Sequence, residues 1–254
     1  MSVASRRTCC ARARTVVVVV SAFAMSLMIL SGRAAAQSFN VDIDQVGPNP
    51  QLGQGVPSSA FGAASGQTGV WNSYLSISSA ASPLVDLAGA ATPATVQITA
   101  TSTSPTTLAF NNPANTGDFA LLLNDGAQIG TTLQGGSRTY TFSGLVPGPY
   151  SIITYTARPQ GTNGHLLIDI PGSNEGQLVA TGVPIGNTFT PGVTHVTHTL
   201  SLGGSSFNVN LTDVAGDPAG YVDGFQITLI PEPMTTSFVL ALAPALLLRR
   251  RGCA

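Results

Sequence analysis

No lysine occurs anywhere in this chain, and its three cysteines, Cys9, Cys10 and Cys253, all sit near the ends. Charged residues make up 8% and aromatic residues 6%, with one tryptophan. Each scarcity excludes something. A body without cysteine has no disulfide and no thiolate metal site, so a packed core alone must hold it together. A chain this poor in charge is not a coiled coil or a helical bundle, which are rich in Glu, Lys and Arg. Eight of the ten arginines lie within the first 33 or last six residues. Between Gln37 and Ile230, ten acids face only Arg138 and Arg158, a net charge of about −8. Such a body lacks the basic face that nucleic-acid binding requires. Disorder is excluded too, because 43% of the residues are hydrophobic and compositional disorder needs low hydrophobicity with high net charge. Without lysine, trypsin can cut the body only at Arg138 and Arg158.

What is present begins at the ends. Arg6, Arg7, Arg12 and Arg14 precede an apolar run from Val16 to Leu30, and Ala34-Ala35-Ala36 follows. A basic start, an apolar stretch and small residues form an export signal, with cleavage between Ala36 and Gln37. The run is shorter than the ~20 residues of a spanning helix. Ser5-Arg6-Arg7 matches a twin-arginine signal only in part, which favours the general secretory route. At the other end, Pro231-Glu232-Pro233 leads into the apolar stretch Met234 to Leu248, and Arg249-Arg250-Arg251 closes it. Arginines stay on the side that is not translocated. The expectation is a short transmembrane helix, weakened by Pro244, that anchors the chain in the membrane transiently or permanently.

That tripartite order, behind an N-terminal signal, resembles the PEP-CTERM sorting signal of exported bacterial proteins. The resemblance covers residues 230 to 251. It implies recognition by an exosortase, processing near Pro231, Glu232 and Pro233, and delivery to the cell surface or the extracellular matrix, often beside exopolysaccharide production.

Between the ends, residues 37–230 read as one all-β domain. Short runs rich in Thr, Val, Ile, Phe and Tyr alternate with turn clusters, and no window keeps a helical period. The expected strands are Ser38–Ile43, Val70–Ile77, Ala94–Ala100, Asp118–Leu123, Arg138–Ser143, Tyr150–Ala157, His165–Ile170, Val193–Leu202, Phe207–Leu211 and Tyr221–Ile230. Asn124-Asp125-Gly126 and Pro147-Gly148 read as tight turns. Gly47–Gly69 is too long for a turn, so either function or mobility resides there. The pattern predicts a single, jelly-roll-like β-sandwich between a signal peptide (1–36) and a sorting tail (231–254).

Gly144-Leu145-Val146-Pro147-Gly148-Pro149-Tyr150, followed by Ile152, Ile153 and Tyr155, resembles a strand of many secreted β-sandwiches. Tyr221-Val222-Asp223-Gly224-Phe225-Gln226-Ile227 resembles the last strand of galactose-binding-like jelly rolls and carbohydrate-binding modules. Gly66–Asn72 is similar to a stretch of exported proteins carrying the same tail. This second resemblance implies a structural calcium held by an aspartate at the position of Asp223, and Asp42 and Asp44 on the first strand would add oxygen ligands. Strand alternation raises an objection: it turns Asp223 inward, beside Tyr221 and Phe225, and Asp42 and Asp44 outward. A shared ion would need a bulge or a frayed strand end. The alternative is that Asp223 accepts backbone hydrogen bonds at a turn while Asp42 and Asp44 are solvated. Asp213 and Asp217 read equally as ligands or as plain loop residues.

Trp71 and Tyr74 are the aromatic candidates, either as platforms for stacking a glycan or as core residues. His195 and His198 lie three apart, a spacing that chelates poorly on a strand because the side chains point to opposite faces; His165 stands alone. No nucleophile elbow, HExxH pair or phosphate loop occurs, so no catalytic residue is assigned and the chain is read as non-enzymatic. The main reading is an exported structural or adhesive protein of the cell surface or matrix. The alternative is a carbohydrate-binding module, with or without calcium, that retains exopolysaccharide. A small polysaccharide-active enzyme ranks third and would need a cleft with two carboxylates ~5–10 Å apart.

Overall fold

The computed structural model describes residues 37–231, other than 46–48, 50–52, 76–79, 102–105, 131–134, 158–163, 183–185 and 214–218. The export signal with Ala34 and Ala36, the sorting residues Glu232, Pro233, Arg249, Arg250 and Arg251, and Arg158 and Asp217 lie outside the described residues. Among the described residues no helix is long and apolar enough to cross a membrane.

Among the described residues fourteen strands form: β1 (Phe39–Asp44), β2 (Trp71–Leu75), β3 (Ser82–Val85), β4 (Ala91–Thr101), β5 (Thr106–Ala109), β6 (Asp125–Ile129), β7 (Ser137–Ser143), β8 (Gly148–Tyr155), β9 (Leu166–Asp169), β10 (Leu178–Ala180), β11 (His195–Leu202), β12 (Ser206–Asp213), β13 (Gly220–Val222) and β14 (Gly224–Leu229). A five-stranded sheet runs β11-β8-β14-β1-β2 and a six-stranded sheet runs β10-β9-β12-β7-β4-β3. Their inner faces share one core. Phe39, Val41, Tyr150, Ile152, Phe225 and Ile227 from the first meet Val96, Tyr140, Phe142, Val209 and Leu211 from the second. Phe225 packs on Tyr140 at 5.2 Å and edge-on against Phe142 at 5.3 Å, an aromatic junction between the sheets. The protein is therefore an all-β sandwich, supplemented by a small third sheet, β13-β6-β5.

The sequence expectation is corrected at several points. Asp118–Leu123 is not a strand but a short helix, α1, with Ala120, Leu122 and Leu123 buried. Six apolar-rich residues suit either state, and the packing environment decides. Asn124-Asp125-Gly126 is not a hairpin turn, since Asn124 caps α1 and β6 starts at Asp125. Pro147-Gly148 does separate two strands, but β7 and β8 belong to different sheets, so the connection is an arch. In that arch Gly144 has φ 72°, and a Cβ there would collide with the Pro93 carbonyl. The Tyr150 hydroxyl donates back to Val146 O at 2.9 Å and ties the arch down. The expected last strand is broken at Asp223, with β13 in the third sheet and β14 in the first. Arg138 is 1% exposed on β7 in the middle of its sheet, so trypsin has no access to it in the native fold.

The long glycine-rich segment has a geometric cause. β1 and β2 are parallel neighbours, and a parallel pair cannot be joined by a tight turn. The chain must return along the whole strand, and it does so across the outer face of the five-stranded sheet. There Trp71, Leu122, Leu123, Ile153, Tyr155 and Ala157 form a second apolar cluster, flanked by Phe61, Ala63, Ala64, Phe119 and Phe189. A buried amide network fixes the cover. The Gln226 amide nitrogen donates to Asn40 Oδ1 at 3.0 Å and Gly62 O at 3.1 Å, and its oxygen accepts from Tyr155 OH at 2.5 Å and Ser65 Oγ at 2.8 Å. Tyr155 OH in turn accepts from Ala64 N at 2.8 Å. Tyr155→Phe deletes the hydroxyl, strands Ala64 N and leaves the Gln226 oxygen with Ser65 alone, so a loss of about 1–3 kcal/mol in urea denaturation is expected. An unchanged midpoint would show that the cover contributes nothing to global stability.

Candidate functional site

The outer face of β1 carries Asn40, Asp42 and Asp44, while Phe39, Val41 and Ile43 enter the main core. Sequence alternation gave this side assignment, and the alternative to a calcium site left both acids solvated. They are not: Asp42 is 0% and Asp44 8% exposed, because the returning segment and its neighbours cover this face. Asp125 at the start of β6 and Asp223 at the break between β13 and β14 are also fully buried. The strand break removes the alternation objection. Ile43 N donates to Asp223 O at 2.8 Å, and Asp223 N donates to Tyr155 O at 3.0 Å, so the residue is wedged between β1 and β8. Gly126 must be glycine there, since a Cβ would lie 2.6 Å from both Val222 O and Asp223 Oδ1.

The four aspartates differ in how well they are satisfied. Asp44 accepts from Gly55 N at 3.2 Å and from Ser73 Oγ at 2.9 Å. Asp125 Oδ2 accepts from Gln45 N at 2.8 Å. Asp223 Oδ2 accepts from Ala157 N. Both oxygens of Asp42, Asp125 Oδ1 and Asp223 Oδ1 are buried without a hydrogen-bond partner. Burial pushes the Asp42 carboxyl well above the usual carboxylate range, and Asp125, Asp44 and Asp223 nearby push it further. Burial, reinforced by the Asp44 charge and opposed by the Gln45 amide, raises Asp125 to about 9. Asp223 is raised by burial and by Asp125, against the Ala157 amide. Burying ionised carboxylates without partners is costly. Two chemical states relieve that cost: retained protons, or a bound cation.

The donor set is all oxygen, which suits a hard cation such as calcium. The orphaned oxygens of Asp42, Asp125 and Asp223 are the positions such an ion would satisfy. Among the described residues no three acids or histidines are already gathered as a finished ligand set, so a cation would have to draw these carboxylates together. Asp213, at the end of β12, lies apart from this group in a glycine-lined niche. It is 3% exposed and accepts from Gly220 N at 2.8 Å, so it is a structural acid rather than a plain loop residue.

The aromatic candidates are corrected by burial. Trp71 is 4% exposed in the outer cluster, with its indole N–H donating to Phe61 O at 3.2 Å. Tyr74 is 1% exposed, with its hydroxyl accepting from Ile98 N at 3.1 Å. Neither ring offers a face to a glycan. Phe61, Phe119 and Phe189, packed against the outer cluster, are each only partly buried. Phe119 stacks on Phe189 at 4.8 Å and meets Phe61 edge-on at 5.1 Å. No sequence pattern joins them, because they come from the β1–β2 crossover, α1 and the segment before β11. The histidines diverge as strand geometry requires. His195 sits beside Tyr155 and Phe189, whereas His198 Nε2 lies 3.0 Å from Gly176 O.

A cleft of about 470 Å³ opens beside α1, lined by Asn111, Pro113, Asn115, Thr116, Ala120 and Leu121. Among the described residues no carboxylate lines it. Asn115 and this cleft carry no signal in the sequence beyond an Asn- and Pro-containing loop.

No protein-family model and no curated protein matches the chain. Among solved structures the chain is similar to TmCBM61 in complex with β-1,4-galactotriose, at 10% identity and TM-score 0.33, over 54% of this chain and 89% of that one. It is similar to a CBM35 from Cellvibrio japonicus at 16% identity and TM-score 0.31, over 52% of this chain and 85% of that one. A family 35 carbohydrate binding module from Clostridium thermocellum is similar at 16% identity and TM-score 0.27, over 38% and 72% of the respective chains.

Proposed function

We propose that the protein is an exported, non-catalytic β-sandwich that binds carbohydrate and so retains extracellular polysaccharide at the cell surface or in the matrix. The observation that carries this reading is the aromatic group Phe61, Phe119 and Phe189. Its rings lie 4.8–6.0 Å apart on the outer face of the sandwich and are partly open to solvent. A pyranose offers such rings an apolar C–H face, and its hydroxyls need neutral hydrogen-bonding groups nearby. Ser58, Ser59, Thr116 and Asn187 are exposed around these rings' segments and supply them. A second part of the proposal is that calcium, bound by Asp42 with Asp44, Asp125 and Asp223, stabilises the module. When bound, the ion would neutralise the carboxylates and hold β1, β6 and the β13–β14 break together. The sorting reading supports the same setting, with an exosortase as processing partner at Pro231, Glu232 and Pro233 and the C-terminal segment as membrane anchor. A structural or adhesive protein of the cell surface or matrix, the main reading from the sequence, is the outcome if no glycan binds. The test is affinity electrophoresis of the full chain in mild detergent through gels containing neutral or anionic polysaccharide. Retardation by at least one, weakened by Phe119→Ala, is expected; equal mobility in all gels overturns the carbohydrate reading.

A further inference from the structure

We infer that the cleft beside α1 is a binding site for the uncharged, hydroxyl-bearing end of a saccharide, with Asn115 as its central acceptor. This rests on the carbohydrate reading and assigns it a place and a chemistry. The cleft holds about 470 Å³, inside the ~300–1,000 Å³ range of small-molecule sites. Its lining divides into two kinds of surface. Asn111, Asn115 and Thr116 are polar and uncharged, while Pro113, Ala120 and Leu121 are apolar.

Asn115 is the informative residue. Its side chain is 4% exposed, and its Nδ2 donates to Asn124 Oδ1 at 2.7 Å. That bond fixes the amide and leaves Oδ1 buried in the protein without a donor. An orphaned buried acceptor is costly, and a ligand hydroxyl removes the cost. A purely apolar ligand would leave the oxygen stranded. An anionic ligand would need a cation, and among the described residues no basic side chain lines the cleft; Arg138 is buried elsewhere, in β7. A neutral molecule with hydroxyls on one edge and a C–H face on the other satisfies both surfaces. The loop is also braced for the purpose. Thr116 N donates to Asn187 Oδ1 at 2.9 Å, and Asn187 Nδ2 donates to Thr116 Oγ1 at 2.7 Å. Phe119 of the aromatic group shares α1 with Ala120 and Leu121, so one short helix contributes to both the rings and the cleft.

Two variants test the site by affinity electrophoresis of the full chain in detergent, against galactan, xylan and dextran as neutral probes and polygalacturonate as the anionic one. Asn115→Ala removes the acceptor. Asn111→Arg plugs the mouth from an exposed position without touching the Asn115–Asn124 bond. Circular dichroism melting shows whether each variant is folded. The expected result is retardation by at least one neutral probe, weakened about tenfold in both variants, with Asn111→Arg melting as the parent does. Retardation that both variants keep overturns the cleft and leaves the carbohydrate reading standing. Retardation by polygalacturonate alone overturns the neutral chemistry assigned to the cleft. Retardation by no probe overturns both readings together.

Discussion

Calcium added to the EDTA-treated chain is expected to raise its melting temperature by roughly 5–10 °C. A ligand present at about 100 times its Kd stabilises the folded form by ~2.7 kcal/mol, and 1 kcal/mol moves Tm by about 2–4 °C in a domain of this size. Asp42 is the residue on which the effect depends, since both its oxygens are buried and unpartnered. Asp42→Asn should therefore cancel most of the calcium gain. In EDTA the same variant should be at least as stable as the parent, because a neutral amide replaces a carboxyl that must otherwise keep its proton. The pH dependence follows from the same groups. Asp42, Asp125 and Asp223 all hold their protons more tightly when folded, Asp125 up to about 9. The unfolded chain releases them near ~4. The folded state thus binds more protons between those values, and stability without metal is fully present below about pH 4 and falls as pH rises toward about 9. Calcium competes with those protons, so its stabilisation should grow over the same window. Melting curves from pH 4 to 9, with EDTA or calcium, measure both effects. No rise with millimolar calcium at any pH would sink the cation site and leave Asp42 as a buried neutral acid.

Phe225→Ala is expected to be the most damaging single truncation, at about 3–5 kcal/mol, or roughly 6–20 °C in Tm. The ring is 0% exposed and contacts both Tyr140 and Phe142 of the opposite sheet. Its removal opens a cavity at the junction of the two sheets, where strands on both sides are fixed by their own ladders and cannot collapse inward. Val179→Ala on the edge strand β10 is the control; the side chain is 46% exposed, and a change within about 0.5 kcal/mol is expected. Chemical denaturation of both variants in the same buffer decides the comparison. A Phe225→Ala loss no larger than that of Val179→Ala would mean that the sheets are not held through this aromatic junction.

Much of the sandwich was legible because its strands carry their signal locally. In β7 and β12, and in β11 from Val196 onward, the burial alternates residue by residue, which is what a period-two sequence pattern encodes. The helix α1 was not legible. Asp-Phe-Ala-Leu-Leu-Leu has no period to read, and its state follows from packing under the outer cluster. β3 and β10 escaped because they are only four and three residues long and lie at the sheet edges. For the acids, the sequence placed Asp42 and Asp44 on the face away from the main core but could not tell that this face is covered. Asp125 was hidden by its neighbours, since Asn-Asp-Gly is a turn signal wherever it occurs. Here Gly126 serves the close approach of Asp223 instead.

The sequence by itself determined the class of the protein. Its composition forbids a helical bundle, the lack of body cysteines leaves stability to the core, and the short β-branched and aromatic runs dictate sheets. These are local or global properties that survive without knowing which strands meet. What only the tertiary structure decided is which residues share a site. The parallel pairing of β1 and β2 forces the chain back over one sheet, and that return buries Trp71 and the β1 acids while leaving Phe61 at the surface. Asp42, Asp125 and Asp223 then come within electrostatic reach of one another across long sequence separations. Nothing along the chain encodes such proximity, because it is a product of strand order, and strand order is chosen by the free energy of the whole assembly rather than by any one segment.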